Sequence, residues 1–370
     1  MSLKDIFCQD KAIGLLQRAR STGKLANSYI FAGNDGIGKH KTAVEWAKLL
    51  LCKNPIEENN FADSCGQCSS CKMVEANSHP DLQLVYKELL EFTKKGKNKK
   101  NPVQMPIDVI REFLVEKISA KPTHSAKKIF IVNEAEKLNA SSQNCLLKVL
   151  EEPPAFCTII LITSRLDNLL PTTKSRCQII RFGPVSEDKI IHKLTLLGLT
   201  TEKATYFARL SQASIGQACC WATLENEETQ LYQKKKELIH LLATYKYHDS
   251  LDVAGKFMAA GKQISAIWSK LEPNTSKSDI NRRTSTFLIW IIISAMHDVM
   301  KLEMTGLENI INSDQKQQIK ALESQFTPDQ AAENISQLYK SLKWLEASVN
   351  EKLIFEQMLL NLADFDRMTV

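Results

Sequence analysis

Residues 28–51 read SYIFAGNDGIGKHKTAVEWAKLLL. The opening Ser28-Tyr-Ile-Phe-Ala32 is a short apolar run with the composition of a buried strand. Gly33-Asn-Asp-Gly-Ile-Gly38-Lys39 follows, and Lys41 to Leu51 continues with helical spacing. A strand that ends in a glycine-rich turn and opens a helix is the setting of a phosphate-binding loop. Glycine lets the backbone curl until its N–H groups converge on phosphate oxygens, and the helix N-terminus adds its dipole. Gly33, Gly36 and Gly38 are therefore candidate cradle positions, with Lys39 placed against the outer phosphates. A tight turn that binds nothing stays open as the plain alternative.

Outward from this stretch the same alternation continues. Leu82-Gln-Leu-Val-Tyr86, Lys128-Ile-Phe-Ile-Val132 and Thr158-Ile-Ile-Leu-Ile-Thr163 are further candidate strands. Ser141 to Glu152 reads as a helix that Pro153-Pro154 stops. Strands alternating with helices predict an α/β core with a parallel sheet covered on its faces. From about Pro184 onward strand signals vanish and helical periodicity runs to the end. The expected organisation is an α/β core over 1–183, a small helical segment over 184–226 and an all-α domain over 227–370. Lys94-Lys-Gly-Lys-Asn-Lys-Lys100 reads as a loop, and a solvated charge run is preferred there over a DNA contact.

The formal charge of +6 in 370 residues permits nucleic-acid contact without demanding it. The start, MSLKDIFCQDKAIGLL, carries acidic residues and no long apolar stretch, unlike a signal peptide. Phe287 to Ala295 (FLIWIIISA) is far shorter than the roughly 20 residues a bilayer span needs, so it is expected in a buried helix. Ten cysteines, four of them clustered, suit a reducing cytoplasm and a metal site better than a disulfide framework.

That cluster is Cys52, Cys65, Cys68 and Cys71. Two successive C-x2-C steps present sulfurs on one tight knuckle, and Cys52 closes the set from a helix end, as tetrahedral zinc requires. Four thiolates leave no open coordination position, so the expected role is structural. Cysteines outside metal sites usually serve as small buried hydrophobes, but FADSCGQCSSCK is too polar to be ordinary core. Cys8, Cys145, Cys157, Cys177, Cys219 and Cys220 lack such spacing and are expected to be plain thiols. His79, in His79-Pro80-Asp81, is read as a turn residue and not as a ligand.

The phosphate-loop pattern breaks in two places. His40 stands where Ser or Thr would offer a hydroxyl to magnesium, and magnesium prefers oxygen ligands. Asn133, after the strand ending at Val132, stands where an Asp would hold the metal. Glu134, at the place that orients an attacking water, is retained. Weak nucleotide binding without efficient hydrolysis is the expectation.

In this order the pieces resemble the bacterial clamp-loader subunits of the AAA+ class, the delta-prime and gamma/tau proteins. The resemblance is carried by the glycine loop with Lys39, the cysteine module over 52–71 and His79-Pro80-Asp81. It is carried further by Asn144-Cys-Leu-Leu-Lys-Val-Leu-Glu-Glu-Pro-Pro154, Leu170-Pro-Thr-Thr173 and Ser175-Arg176-Cys177. Trp290 through Asp298 and Ser348-Val-Asn350 look like the helical collar of such subunits. The resemblance implies an AAA+ core over 1–183, a lid over 184–226 and an oligomerising collar over 227–370. It implies that Arg176 acts as an arginine finger in the ATP site of a neighbouring subunit, where a guanidinium can neutralise charge on the transferred phosphoryl group. The alternative for Arg176 is a surface arginine at a strand start.

The resemblance also assigns Thr163 or Ser164 to the sensor at its strand end, and puts Gln217 where the lid's second sensor would be Arg. His40, Asn133 and Gln217 all fall on groups needed for hydrolysis in cis. Their loss favours a delta-prime-type stator that binds structural zinc and serves as an accessory subunit of the replicative DNA polymerase III. Its implied partners are delta-type and gamma/tau-type subunits, the sliding clamp and primed DNA, in the cytoplasm and away from membranes. A gamma/tau-type motor ATPase is the first alternative, and a stand-alone zinc-containing nucleic-acid-binding module the second.

Overall fold

The computed structural model describes residues 2–58, 61–94, 102–273, 275–305, 310–347 and 349–363. Most of the lysine run and Ser348 lie outside these residues. The chain divides into two compact units, residues 1–186 with 213–216, and 187–212 with 217–370.

The strands of the first unit are β1 (Ser28–Ala32), β2 (Ile56–Glu58), β3 (Phe61–Asp63), β4 (Leu82–Val85), β5 (Lys128–Val132), β6 (Cys157–Thr163) and β7 (Gln178–Arg181). Its helices are α1 (Asp10–Ser21), α2 (Lys39–Leu51), α3 (Ser69–Glu75), α4 (Ile107–Ile110), α5 (Glu116–Ile118), α6 (Ala140–Glu151) and α7 (Pro171–Lys174), with a π turn over Arg111–Val115 joining α4 to α5. Five strands form one parallel sheet in the order β4-β5-β6-β1-β7. All of β1 and β6 is buried, the pattern of parallel strands covered on both faces. Alternate residues of β1 serve opposite layers. Tyr29 and Phe31 pack with Leu16, Trp46 and Ile160, whereas Ile30 and Ala32 join Leu114, Phe130, Leu146 and Leu161. This is the parallel α/β core expected from the alternation. The sheet aligns the C-terminal ends of β1, β5 and β6, so the phosphate loop, Glu134 and Thr163 come to one edge.

The second unit is helical. It comprises α8 (Glu187–Leu196), α9 (Thr201–Leu210), α10 (Ile215–Leu224, whose first two residues belong to the first unit), α11 (Leu231–Thr244), α12 (Ser250–Leu271), α13 (Lys277–Thr305), α14 (Lys316–Glu323), α15 (Pro328–Glu346) and α16 (Glu351–Ala363). Phe287 to Ala295 lies inside α13, as a buried helix was expected to hold it. The helix itself is longer than that run. Lys277–Leu302 is long and apolar enough to cross a membrane by length and composition, its most apolar 18-residue window having a mean hydropathy of 1.4. Yet 72% of that apolar window is buried inside the protein: Phe287, Leu288, Ile289, Ile291, Ile292 and Ile293 face other helices. Trp290 packs edge-on against Tyr339 of α15, their rings 5.8 Å apart.

Candidate functional site

The phosphate loop has the backbone that its glycines allow. Gly33, Gly36 and Gly38 have φ of 151°, 72° and 104°, values that side chains rarely adopt. A Cβ on Gly33 would meet the Phe182 carbonyl at 2.7 Å. Gly38 caps the N-terminus of α2. Lys39 is 5% exposed, and its ammonium donates to the loop's own carbonyls, Gly33 O at 2.5 Å and Asn34 O at 2.6 Å. Burial pushes its pKa down, while Asp35 and Glu136 pull it back up. A phosphate group would have to replace those carbonyls as the partner of Lys39. Gly216 N donates to Gly36 O at 2.7 Å, so the segment 213–216 rests on the loop. Gln9, which the sequence reading did not single out, is buried and donates to both Ile37 O and Gly183 O, tying the loop to the chain beyond β7.

The residues expected to drive hydrolysis are occupied otherwise. Glu134 has the left-handed φ of 49°, and its carboxylate pairs with Lys137 and, at 3.7 Å, with Lys87. Two ammonium groups hold it. Thr163 is fully buried, and its Oγ1 accepts from Arg165 N at 3.2 Å within the turn that follows β6. Ser164 Oγ donates to Glu136 Oε1 at 2.7 Å. His40 is exposed on the first turn of α2, and Asn133 directly follows β5. The imidazole offers a magnesium ion no oxygen, and the carboxamide offers an oxygen without the negative charge of a carboxylate, so the site is a poor one for that metal.

The four cysteines converge as the spacing requires. Cys52 ends α2, Cys65 follows β3, Cys68 caps α3 and Cys71 lies in its first turn. Their sulfurs all lie within 4.8 Å of one another, with Cys52–Cys65 at 3.5 Å and Cys52–Cys68 and Cys65–Cys71 at 3.9 Å. Zn–S bonds of about 2.3 Å in a tetrahedron put sulfurs about 3.8 Å apart, so the set fits a metal ion. Cys65 N, Cys68 N and Cys71 N each donate to the sulfur preceding them in the set at 3.4 Å. Backbone N–H groups of Gln67 and Cys68 hold the Cys65 thiol below its usual pKa, while burial pushes Cys52 and Cys71 up. Four such thiols ionise together only around a cation. By contrast, burial pushes the Cys157 and Cys220 thiols up to about 11 and Cys177 to about 12, which keeps them protonated.

His79 does more than make a turn. Its Nδ1 accepts from Asp81 N, which leaves the ring proton on Nε2, 3.2 Å from Ser70 Oγ of α3 and 3.3 Å from Ser125 Oγ. The cysteine knuckle is thereby pinned to the sheet. On its other side, Gln17 of α1 exchanges two hydrogen bonds with the backbone of Ala62 in β3. The β2–β3 hairpin was not visible in the sequence, because such three-residue strands carry no period to read.

Arg176 lies between α7 and β7 and is 32% exposed. Its Nη1 donates to Thr172 O at 2.9 Å, and its Nη2 meets Glu151 Oε1 at 2.5 Å. The short helix before it is fastened by Gln143 of α6, another residue missed in the sequence. Gln143 is buried, accepts from Leu170 N and Thr173 Oγ1, and donates to Leu138 O and Asn168 O. Its spacing of three and seven residues from Leu146 and Leu150, on the buried face of an amphipathic helix, was the available signal.

The family profile described as DNA polymerase III, delta subunit, matches residues 8–186, and that described as DNA polymerase III, delta subunit, C terminal, matches residues 263–364. DNA polymerase III subunit delta' of Bacillus subtilis is 25% identical over 96% of this chain and 96% of its own length. The delta' subunit of Pseudomonas aeruginosa is 34% identical over 41% of this chain and 42% of its own. The gamma/tau subunit of Mycoplasma genitalium is 32% identical over 52% of this chain but only 29% of its own. With delta-subunit profiles matched in both halves and a delta' relative aligned along nearly the whole length, the chain belongs to the DNA polymerase III delta'-type subunit family.

Proposed function

We propose that this chain is the stator of a bacterial clamp loader, giving an arginine to its neighbour's ATP site while hydrolysing no ATP itself. The observation that carries this reading is a division between what this chain has lost and what it keeps. The groups for hydrolysis in cis are absent (His40, Asn133, Gln217) or engaged elsewhere (Glu134 with two lysines), while Arg176 stays partly exposed beyond α7. On this reading residues 1–183 are the AAA+ core, 184–226 the lid and 227–370 the collar that joins delta-type and gamma/tau-type subunits. Gly33, Gly36, Gly38 and Lys39 retain weak nucleotide binding, and Thr163 is a sensor remnant. Zinc on Cys52, Cys65, Cys68 and Cys71 is structural. The sliding clamp and primed DNA are met in the assembled complex, in the cytoplasm.

The test is steady-state ATPase of the reconstituted loader with clamp and primed DNA. Arg176→Ala is expected to lower turnover in part, since the other sites keep their own arginines, and Arg176→Lys to rescue poorly because an ammonium lacks the planar donor fork. Lys39→Ala is expected to change turnover little. A silent Arg176→Ala beside a crippling Lys39→Ala would reverse the roles and make this chain a gamma-type motor.

A further inference from the structure

The two segments that identify this chain best, Leu146–Pro154 and Ser175–Cys177, meet through one ion pair. Glu151 is the last residue of α6, ahead of Glu152-Pro153-Pro154. On local grounds an acidic residue is misplaced there, because a helix C-terminus is the negative end of its dipole. Residues that break a local rule are often held by function. Here the compensating charge is Arg176, its Nη2 2.5 Å from Glu151 Oε1. The second contact, from Nη1 to Thr172 O, uses a carbonyl of α7, and Gln143 fastens that helix to α6. Both anchors of the guanidinium thus lead back to α6. Each contact engages one N–H of a five-donor group, so donors remain for a phosphate.

We infer that Glu151 is a positioning residue, whose carboxylate at the end of α6 presents Arg176 to the phosphoryl group of the neighbouring subunit. This rests on reading Arg176 as a finger in trans. Long side chains lose rotamer freedom when they meet a ligand, and a partner that fixes the guanidinium beforehand removes part of that loss from the encounter.

The experiment is ATPase of the complete loader with clamp and primed DNA, carrying Glu151→Ala, Glu151→Gln, Arg176→Ala or both alanines. Size-exclusion chromatography confirms assembly of each complex. Glu151→Ala is expected to lower kcat roughly twofold to fivefold at the affected site, the range an exposed ion pair supports, with KM for ATP unchanged. Glu151→Gln, which keeps an acceptor oxygen, is expected to fall between Ala and wild type. Added to Arg176→Ala, Glu151→Ala should cause no further loss, since it acts only through that arginine. An additive loss in the double variant would mean that Glu151 merely supports the fold. A Glu151→Ala kcat at or above wild type, with Arg176→Ala still impaired, would also overturn the inference while leaving the finger in place. A silent Arg176→Ala would overturn both. Should Glu151→Ala fail to assemble, the Gln variant decides: kcat equal to wild type refutes positioning by charge, and a reduced kcat at unchanged KM supports it.

Discussion

Asp81, just ahead of β4, faces three consecutive backbone N–H groups with one carboxylate. Its Oδ1 accepts from Thr123 N at 2.7 Å, and its Oδ2 accepts from His124 N and Ser125 N at 2.8 Å each. Burial alone would raise its pKa, but these donors together outweigh burial and hold it below the usual carboxylate range. Such a group stabilises the fold above its unfolded pKa of about 3.9 and loses that contribution as pH falls through the folded value. Asp81→Asn should therefore destabilise by about 2 kcal/mol at pH 7, because an amide cannot accept all three bonds. In urea titrations the gap between variant and wild type should narrow once the pH drops below that range. An equal gap at pH 7 and pH 3 would show that packing, and not charge, makes Asp81 matter.

Among the elements, the cysteine module has the least core of its own. β2 is exposed throughout, β3 and α3 are short, and their buried apolar side chains are few: Ala62, Cys71 and Val74. Folding there is expected to depend on metal. Purified protein should carry one zinc per chain by elemental analysis. Stripping it with a strong chelator should free four thiols to a colorimetric reagent and raise amide exchange over 52–75, while β1, β5 and β6 stay protected. Protein that lacks zinc yet shields those thiols would count against the site. Cys65→Ser should behave like the stripped protein, because removing one of four ligands leaves three thiols crowded without a full cage. The phosphate loop is the opposite kind of element, since Lys39, Gln9 and Gly216 supply its contacts from within the protein.

At the scale of the molecule, the helical unit is joined through a buried charge. Lys235 of α11 is fully buried, pairs with Asp314 at 2.5 Å and lies over the rings of Tyr206 and Tyr232, 4.4 and 5.0 Å from their centres. Burial pushes its pKa down to about 8 although Asp314 opposes the shift. Breaking the pair leaves the buried Asp314 with only the more distant Lys236, 3.6 Å away, so Lys235→Met should destabilise by about 3 kcal/mol, whereas Lys235→Met with Asp314→Leu should recover much of that loss. Thermal unfolding of wild type, the single variant and the double variant checks this, and a double variant no better than the single one would mean that the pair contributes through its exact shape. Periodicity and motif spacing were enough, read from the sequence alone, to establish the parallel core, the helical second half, the glycine loop and the four cysteines. They are local properties: a period of two or 3.6, a turn that only glycine makes, ligands within one short segment. Tertiary structure decided which partner each polar group found. Glu134 met Lys87 and Lys137, Glu151 met Arg176, Gln9 and Gln143 became braces, and Lys235 met Asp314. Apart from Glu134 with its near neighbour Lys137, such pairings join residues far apart in the chain, and their strength depends on burial, which no spacing in the sequence encodes.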